Sequence, residues 1–439
     1  MTMESREFDL IVFGATGFTG ALACEYIARA VATNFKLKVA IAGRNKEKLE
    51  NARAACATRA AKAKEFAMIV CDCERSSAKA MEDVVKRTSC VLTFAGPYDS
   101  AYGKALVKAC ASAKTDYVDI TGEPQFVREC VDELHDDAKK ANIAIVQCAG
   151  YDSVPWDLGT YACAKAMEAR GASLVKATGH AGKSKGGVSG GTIASAANAL
   201  TSETTKKFKG MGDPLFFARD ALKANGMDEK MRWASPQSRA KFDDDTGYWT
   251  MPSIMAGINA KVVARSFALD PKRYSPTFTY DESDLCTSKK SALLGTAALG
   301  VIGAAFITPP VRWLLRKTVL PAPGQGPSED VRETGFSNVY VVGKGVDSKT
   351  GTDVEPVCAH FEFKNADPGY KGTAALAVEV ALCLAIPSER ARLPWVGKAN
   401  GGGCFTPSHA MGDVLIERLN KTENFSITVD ELKKTVLRV

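Results

Sequence analysis

An α/β fold built on a doubly wound parallel sheet is predicted by three features of the 439-residue chain. An apolar run, Leu10–Phe13, enters a turn carrying Gly14, Gly17 and Gly20, and Ala21–Ala32 then shows helical apolar spacing (Leu22, Ile27, Ala30, Val31). Short apolar runs alternate with helical segments as far as Cys148, the pattern of successive βα units. From Leu174 the texture changes to strand-like pieces and charged stretches, which predicts a second, α+β domain inserted before the chain returns to the first. The expected division is 1–170 for the first domain, 171–400 for a substrate and dimerisation domain, and 401–439 for elements packing back on the first.

The opening turn has the form of a phosphate cradle. Gly14 permits a tight turn, Gly17 lets the backbone approach a pyrophosphate, and Gly20 lets helix and strand pack closely. N–H groups at the helix start face the anion. Gly14, Ala15, Thr16, Gly17, Phe18, Thr19 and Gly20 are therefore candidate cofactor contacts, with a ligand-free Gly-rich βα turn as the alternative. Strand two, Lys38–Ala42, ends in Gly43–Arg44, with Lys46 and Lys48 close behind and no acid before Glu47. An NAD site usually places a carboxylate here, and an NADP site an arginine. A guanidinium pairs bidentately with a 2′-phosphate, so Gly43 and Arg44 predict NADP(H), against an exposed arginine opening a solvated helix.

Strand three, Phe66–Cys71, brings Asp72 to its end, either to contact an adenine edge or to cap the segment after it. Strand four, Cys90–Ala95, runs into Gly96-Pro97-Tyr98. The carboxyl end of this strand lies beside the nicotinamide half of a dinucleotide. Gly96 and Pro97 are expected to flank the cofactor and Tyr98 to project toward the substrate as a proton donor. Asp119 with Glu123, and Asp152 with Asp157, come after the next two strands; Asp152 is the second candidate acid, with helix capping an equal alternative for each.

Asp157–Arg170 reads as a helix crossing the first domain, and Ala260–Leu269 as strand or loop. Gly190-Gly191-Thr192, ending a Gly/Lys loop read as a connector or substrate loop with a second anion site as the alternative, opens a small-residue helix. Thr204–Lys241 reads as charged, solvated helices and loops, with a membrane-facing basic surface as the alternative. Tyr280–Cys286 reads as acidic and irregular. Ser291–Val311 contains no charge and is flanked by Lys289, Lys290, Arg312, Arg316 and Lys317. Three readings stand: a membrane-surface segment anchored by Trp313, Leu314 and Leu315, a buried domain helix, or a bilayer span. Phe425–Leu432 is expected to close the chain as a short strand and helix.

Bulk properties exclude several classes. With 46% apolar and 24% charged residues the chain is an ordinary globular one. The net charge of +7 is spread along the chain, without zinc-finger spacing or aromatics alternating with a basic stripe, so nucleic acid is not an expected partner. Thirteen cysteines are scattered singly, and Met1–Glu7 is too short and polar for a signal peptide. Reduced thiols in a cytosol-facing protein are expected. Cys71 and Cys73 lack the second pair or histidine that a metal site needs.

Taken together, the motifs Phe13-Gly-Ala-Thr-Gly-Phe-Thr-Gly20, Ala42-Gly-Arg44, Ala95-Gly-Pro-Tyr98, Asp119-Ile-Thr-Gly-Glu-Pro-Gln-Phe126, Gly150-Tyr-Asp-Ser-Val-Pro155, Pro368-Gly-Tyr370 and Gly401-Gly-Gly-Cys-Phe-Thr-Pro407 resemble the saccharopine dehydrogenase-like oxidoreductases. The similarity is to their eukaryotic lipid-associated branch and to bacterial trans-acting enoyl reductases. It implies a Rossmann domain with an inserted α+β domain, NADP use, a small-molecule or lipid substrate, and association with membranes or lipid droplets through residues 291–317. A homodimer is the expected assembly. The activity it implies is NADP(H)-dependent reduction of a lipid-linked enoyl or carbonyl group. A non-catalytic lipid-surface protein retaining the nucleotide fold is one alternative, and an amino-acid dehydrogenase acting on saccharopine another. No arginine cluster suited to a dicarboxylate ligand is visible in the sequence.

Overall fold

A computed structural model describes residues 6–33, 36–72, 77–186, 210–308 and 326–439. Cys73, the Gly190–Thr192 turn and its helix, lysines 206, 207 and 209, and the Pro309–Lys317 stretch with its proposed anchor lie outside the described residues.

The chain opens with β1 (Phe8–Phe13), α1 (Phe18–Thr33), β2 (Val39–Gly43), α2 (Lys46–Arg59), β3 (Ala67–Val70), α3 (Ala78–Val85), β4 (Thr88–Thr93), α4 (Ala101–Ser112), β5 (Asp116–Asp119), α5 (Pro124–Ala141) and β6 (Ala144–Val146). It continues through α6 (Val154–Glu168), β7 (Ala172–Lys185), α7 (Arg219–Ala224), β8 (Lys241–Asp243), β9 (Tyr248–Pro252), α8 (Ala256–Leu269), β10 (Tyr274–Cys286), α9 (Lys289–Ile307) and α10 (Glu329–Thr334). Last come β11 (Phe336–Asp347), β12 (Val357–Phe363), α11 (Thr373–Ala385), α12 (Pro387–Arg390), β13 (Gly403–Phe405), α13 (Pro407–Met411), α14 (Asp413–Asn420) and β14 (Phe425–Glu431).

Two compact units result. One holds the chain up to Tyr151 and again Gly369–Arg418; the other holds the chain from Asp152, Pro327–Pro368 and Leu419–Val439. The sheet of the first unit has the order β13-β6-β5-β4-β1-β2-β3, every pairing parallel. Its inner strand β1 is apolar from Leu10 to Phe13 because helices cover both faces, and Leu10, Ile11 and Val12 are fully buried. Helix α11, apolar but for Thr373 and Glu379, is buried along its whole length and packs on α1, β4 and β5. A buried charged group fixes it there. Glu379 accepts from Arg418 at 2.8 Å and from Tyr26 of α1 at 2.8 Å.

The second unit is a mixed sheet, β14-β12-β11-β7-β10-β9-β8, in which β7 and β10 run parallel and the remaining pairs antiparallel. Helices α6 and α8 pack on it and on each other. Gly159 admits the close approach, since a Cβ there would stand 2.6 Å from Val341.

Several expectations are corrected. The helix read at 157–170 starts at Val154 and belongs to the second unit, where it packs on β7, β11 and β12. The return to the first unit begins at Gly369 rather than 401, and β14 pairs with β12 of the second sheet. Ala256–Leu269 is a helix, and Tyr280–Cys286 is the end of the 13-residue strand β10. Helix α9 is not a buried domain helix. Ala292 is buried and Gly295 meets Met251 of β9, while Leu293, Leu294, Val301 and Ile302 are exposed. Among the described residues no helix is long and apolar enough to cross a membrane. The twelve described cysteines are all free thiols and buried.

Candidate functional site

In the first unit the sheet order reverses between β1 and β4, where parallel α/β sheets leave a crevice at their carboxyl ends. The loop after β4 is drawn over the end of β1, with the Phe94 N–H donating to Phe13 O at 3.0 Å. Gly14 comes next with φ of +78°, and a Cβ there would lie 2.8 Å from the Ala95 nitrogen. The Gly17 N–H donates to Gly14 O at 2.9 Å, and a Cβ on Gly20 would come within 2.1 Å of that same oxygen. Ala15 is buried beneath the turn, Thr16 and Gly17 are exposed at its crest, and Phe18 and Thr19 are half-buried where α1 begins. The first turn of α1 carries no acid, so its outward N–H groups form an electropositive edge suited to a diphosphate.

Around this cradle the structure gathers residues from distant parts of the unit. The end of β3 is tied to that of β2 by the Cys71 N–H donating to Gly43 O at 2.9 Å, which brings half-buried Asp72 near Gly43. Arg44 is exposed at the end of β2; Asn45 caps α2 by accepting from the Lys48 N–H at 2.9 Å. Gly96 and Pro97 are exposed at the end of β4. Sequence reasoning placed no role on Tyr370, yet its ring meets Phe18 edge to face, 5.0 Å between centroids. Nearby, Thr373 Oγ1 accepts from the Tyr151 N–H at 3.1 Å. The motif at Gly369–Tyr370 was visible in the sequence; its arrival beside the glycine turn was not.

Tyr98 is corrected. Its side chain turns back into the core, donating from its hydroxyl to Thr93 O at 3.1 Å and stacking on Phe126. Burial pushes the phenol well above its ordinary range. It is a core residue, not a proton donor facing a substrate. The acids after β5 are also structural. Asp119 is fully buried, accepts from the Thr121 N–H at 3.0 Å, and is pushed up to about 7 by burial. Glu123 is buried and accepts from two backbone N–H groups of the β4 loop. Asp157 is buried and accepts from Ser266. Asp152 lies half-buried in the turn before α6.

The second unit holds an acid that sequence reading did not single out. Glu282 on β10 is 1% exposed and accepts from Ser253 at 2.8 Å, Asn259 at 2.9 Å and Tyr280 at 3.0 Å. Burial raises its pKa from 4.5 to about 8 despite these donors. Below pH 4.5 the carboxyl is protonated in the folded and unfolded chain alike. Between 4.5 and about 8 only the unfolded chain ionises, so stability falls as pH rises through that window. The slope reaches at most about 1.4 kcal/mol per pH unit. Urea unfolding at pH 5, 6.5 and 8 should show this decline in the native protein and a flatter profile in Glu282→Gln.

Residues 10–146 match the family described as the saccharopine dehydrogenase NADP binding domain. A Mycobacterium tuberculosis protein, named as a candidate trans-acting enoyl reductase, is 34% identical over 428 residues, 95% of this chain and 97% of its own. The trans-acting enoyl reductase of Mycobacterium bovis is 32% identical over 431 residues, with 95% and 97% covered. The solved structure of saccharopine dehydrogenase (L-Glu forming) from Saccharomyces cerevisiae superposes with a TM-score of 0.50 at 12% identity, over 96% of this chain and 99% of that one, a likeness of fold alone. The first unit is thus a nicotinamide-dinucleotide-binding domain. With relatives above 30% identical along nearly its whole length, the chain belongs to the saccharopine dehydrogenase-like oxidoreductase family.

Proposed function

We propose that this protein is an NADPH-dependent reductase of an α,β-unsaturated acyl group carried on a lipid. The observation that carries the reading is the glycine turn closed against β4, with Arg44 exposed at the end of β2 and no acid in the first turn of α1. These residues fit the dinucleotide. The turn and α1 would hold the diphosphate, Arg44 the 2′-phosphate, and Gly96 and Pro97 would flank the nicotinamide half. Bound NADPH supplies the hydride. The β-carbon accepts it, the electrons of the double bond move to the carbonyl oxygen, and the α-carbon takes a proton. With Tyr98 buried, Asp152 is the remaining sequence candidate for that proton. The naming of the mycobacterial relatives as trans-acting enoyl reductases supports the substrate class. The test is NADPH oxidation tracked at the nicotinamide absorbance with enoyl thioesters of increasing chain length. The reading expects consumption that depends on the enoyl group. Its loss with saturated controls supports the reading, and equal consumption with both, or none with any, overturns it.

A second reading, a lipid-surface protein without turnover, is favoured by α9. Past Lys290 that helix has no charge, and Leu293, Leu294, Val301 and Ile302 are 52%, 61%, 71% and 46% exposed. Such an apolar face rimmed by lysines suits the cytosolic surface of a membrane or lipid droplet. Flotation with liposomes separates the cases. Leu293→Ser/Leu294→Ser/Val301→Ser should abolish flotation if the face is the anchor, and leave it unchanged if it is not.

A further inference from the structure

We propose that Glu123 is a positioning residue for the cofactor's nicotinamide half, acting through the loop Gly96–Ser100. The inference rests on the dinucleotide reading of the first unit and adds a residue to it. Glu123 lies 3% exposed at the amino end of α5. Its two carboxylate oxygens are spent on one object: Oε1 accepts from the Tyr98 N–H at 3.0 Å, and Oε2 from the Asp99 N–H at 2.9 Å. A buried carboxylate holding two consecutive backbone N–H groups of a loop 25 residues away fixes that loop's path and leaves its own oxygens no reach toward a ligand.

The support behind it is continuous. Glu123 is set by its own N–H donating to Thr121 Oγ1 at 3.1 Å, and Thr121 by its N–H donating to Asp119 Oδ1 at 3.0 Å. On the loop side, Tyr98 is plugged into the core through Thr93 O, and Ser100 Oγ donates to Pro97 O at 2.7 Å. Asp99 pairs with Lys104 at 2.7 Å, which also meets Glu129 at 2.5 Å. Gly103 sits so close that a Cβ there would lie 2.2 Å from Tyr98 O. What the assembly leaves outward is Gly96 and Pro97, at the end of the strand that neighbours β1. The motif from Asp119 to Glu123 therefore works as a bracket. Its acids hold backbone, and the exposed backbone they hold is the surface a nicotinamide ribose would lie against.

Calorimetric titration with two probes tests this on the full chain. NADPH engages both halves of the site, whereas adenosine 2′,5′-bisphosphate engages only the adenosine half. Glu123→Ala is expected to weaken NADPH at least about tenfold while leaving the bisphosphate within about twofold. Glu123→Gln, which keeps one acceptor and offers the other N–H a donor, should show the same split at smaller size and covers the case in which the alanine variant does not fold. Unchanged NADPH affinity in both variants overturns the proposal, as does parallel loss of the two probes. Failure of the native protein to bind either probe is a different outcome, because it overturns the dinucleotide reading itself.

Discussion

Gly20→Ala is expected to abolish dinucleotide binding while leaving the sheet intact. A methyl group there would stand 2.1 Å from Gly14 O and 2.8 Å from its carbonyl carbon, both backbone atoms that cannot swing aside. Either α1 moves off β1 or the turn opens. Both displace the N–H groups at the start of α1, Phe18 and Thr19, from the positions an anion would need. Overpacking of this kind costs about 1–3 kcal/mol in stability. The loss in NADPH affinity should be larger in effect, at least about a hundredfold, because the anion contacts depend on one geometry. Gly14→Ala should behave alike, since φ of +78° and the Ala95 nitrogen at 2.8 Å both oppose a side chain. Fluorescence titration with NADPH, alongside a circular dichroism melt, separates lost binding from lost folding.

Glu379→Ala should give the largest stability loss in the first unit, about 3–5 kcal/mol. Glu379 and Arg418 are 4% and 6% exposed in their side chains and meet at 2.7 Å. Removing the carboxylate leaves a guanidinium buried without its main counter-charge and takes the acceptor from the Tyr26 hydroxyl. Glu389, 3.6 Å from Arg418, offsets only part of that. Because Tyr26 lies on α1, the helix that opens at the glycine turn, loosening this junction should also weaken NADPH binding. The double variant Glu379→Leu/Arg418→Met should recover much of the stability, since apolar replacements of a buried pair are often neutral. Urea denaturation of the native protein and the variants measures both effects.

What the chain showed before folding was local. The glycine turn, the strand ends at Arg44 and Gly96, and the alternation of strand and helix all rest on neighbours within about ten residues. Tyr98 was misplaced because its position after a strand is a local fact, whereas the side of the sheet its ring enters depends on packing with Phe126 of a later helix. Helix α8 was hidden because Asn259, Lys261 and Arg265 are buried on it and break the apolar pattern. The end of β10 read as irregular because Glu282 shares the inward face with Phe278 and Tyr280, where a carboxylate breaks the apolar alternation until three donors enclose it. The re-entry at Gly369 could not be read at all. It is fixed by the fit of α11 against α1 and β4, where Tyr26 and Glu379 meet from 353 residues apart.

The central claim is that the first unit cradles a dinucleotide and that Arg44 selects its 2′-phosphate. Calorimetric titration of the native protein and Arg44→Asp with NADPH and with NADH measures it directly. The account predicts that the native protein binds NADPH in preference to NADH, and that Arg44→Asp weakens NADPH by roughly 1.5–3 kcal/mol, about ten- to a hundredfold, with little change for NADH. Native protein that binds neither cofactor or prefers NADH, or an Arg44→Asp variant with undiminished NADPH affinity, would contradict it.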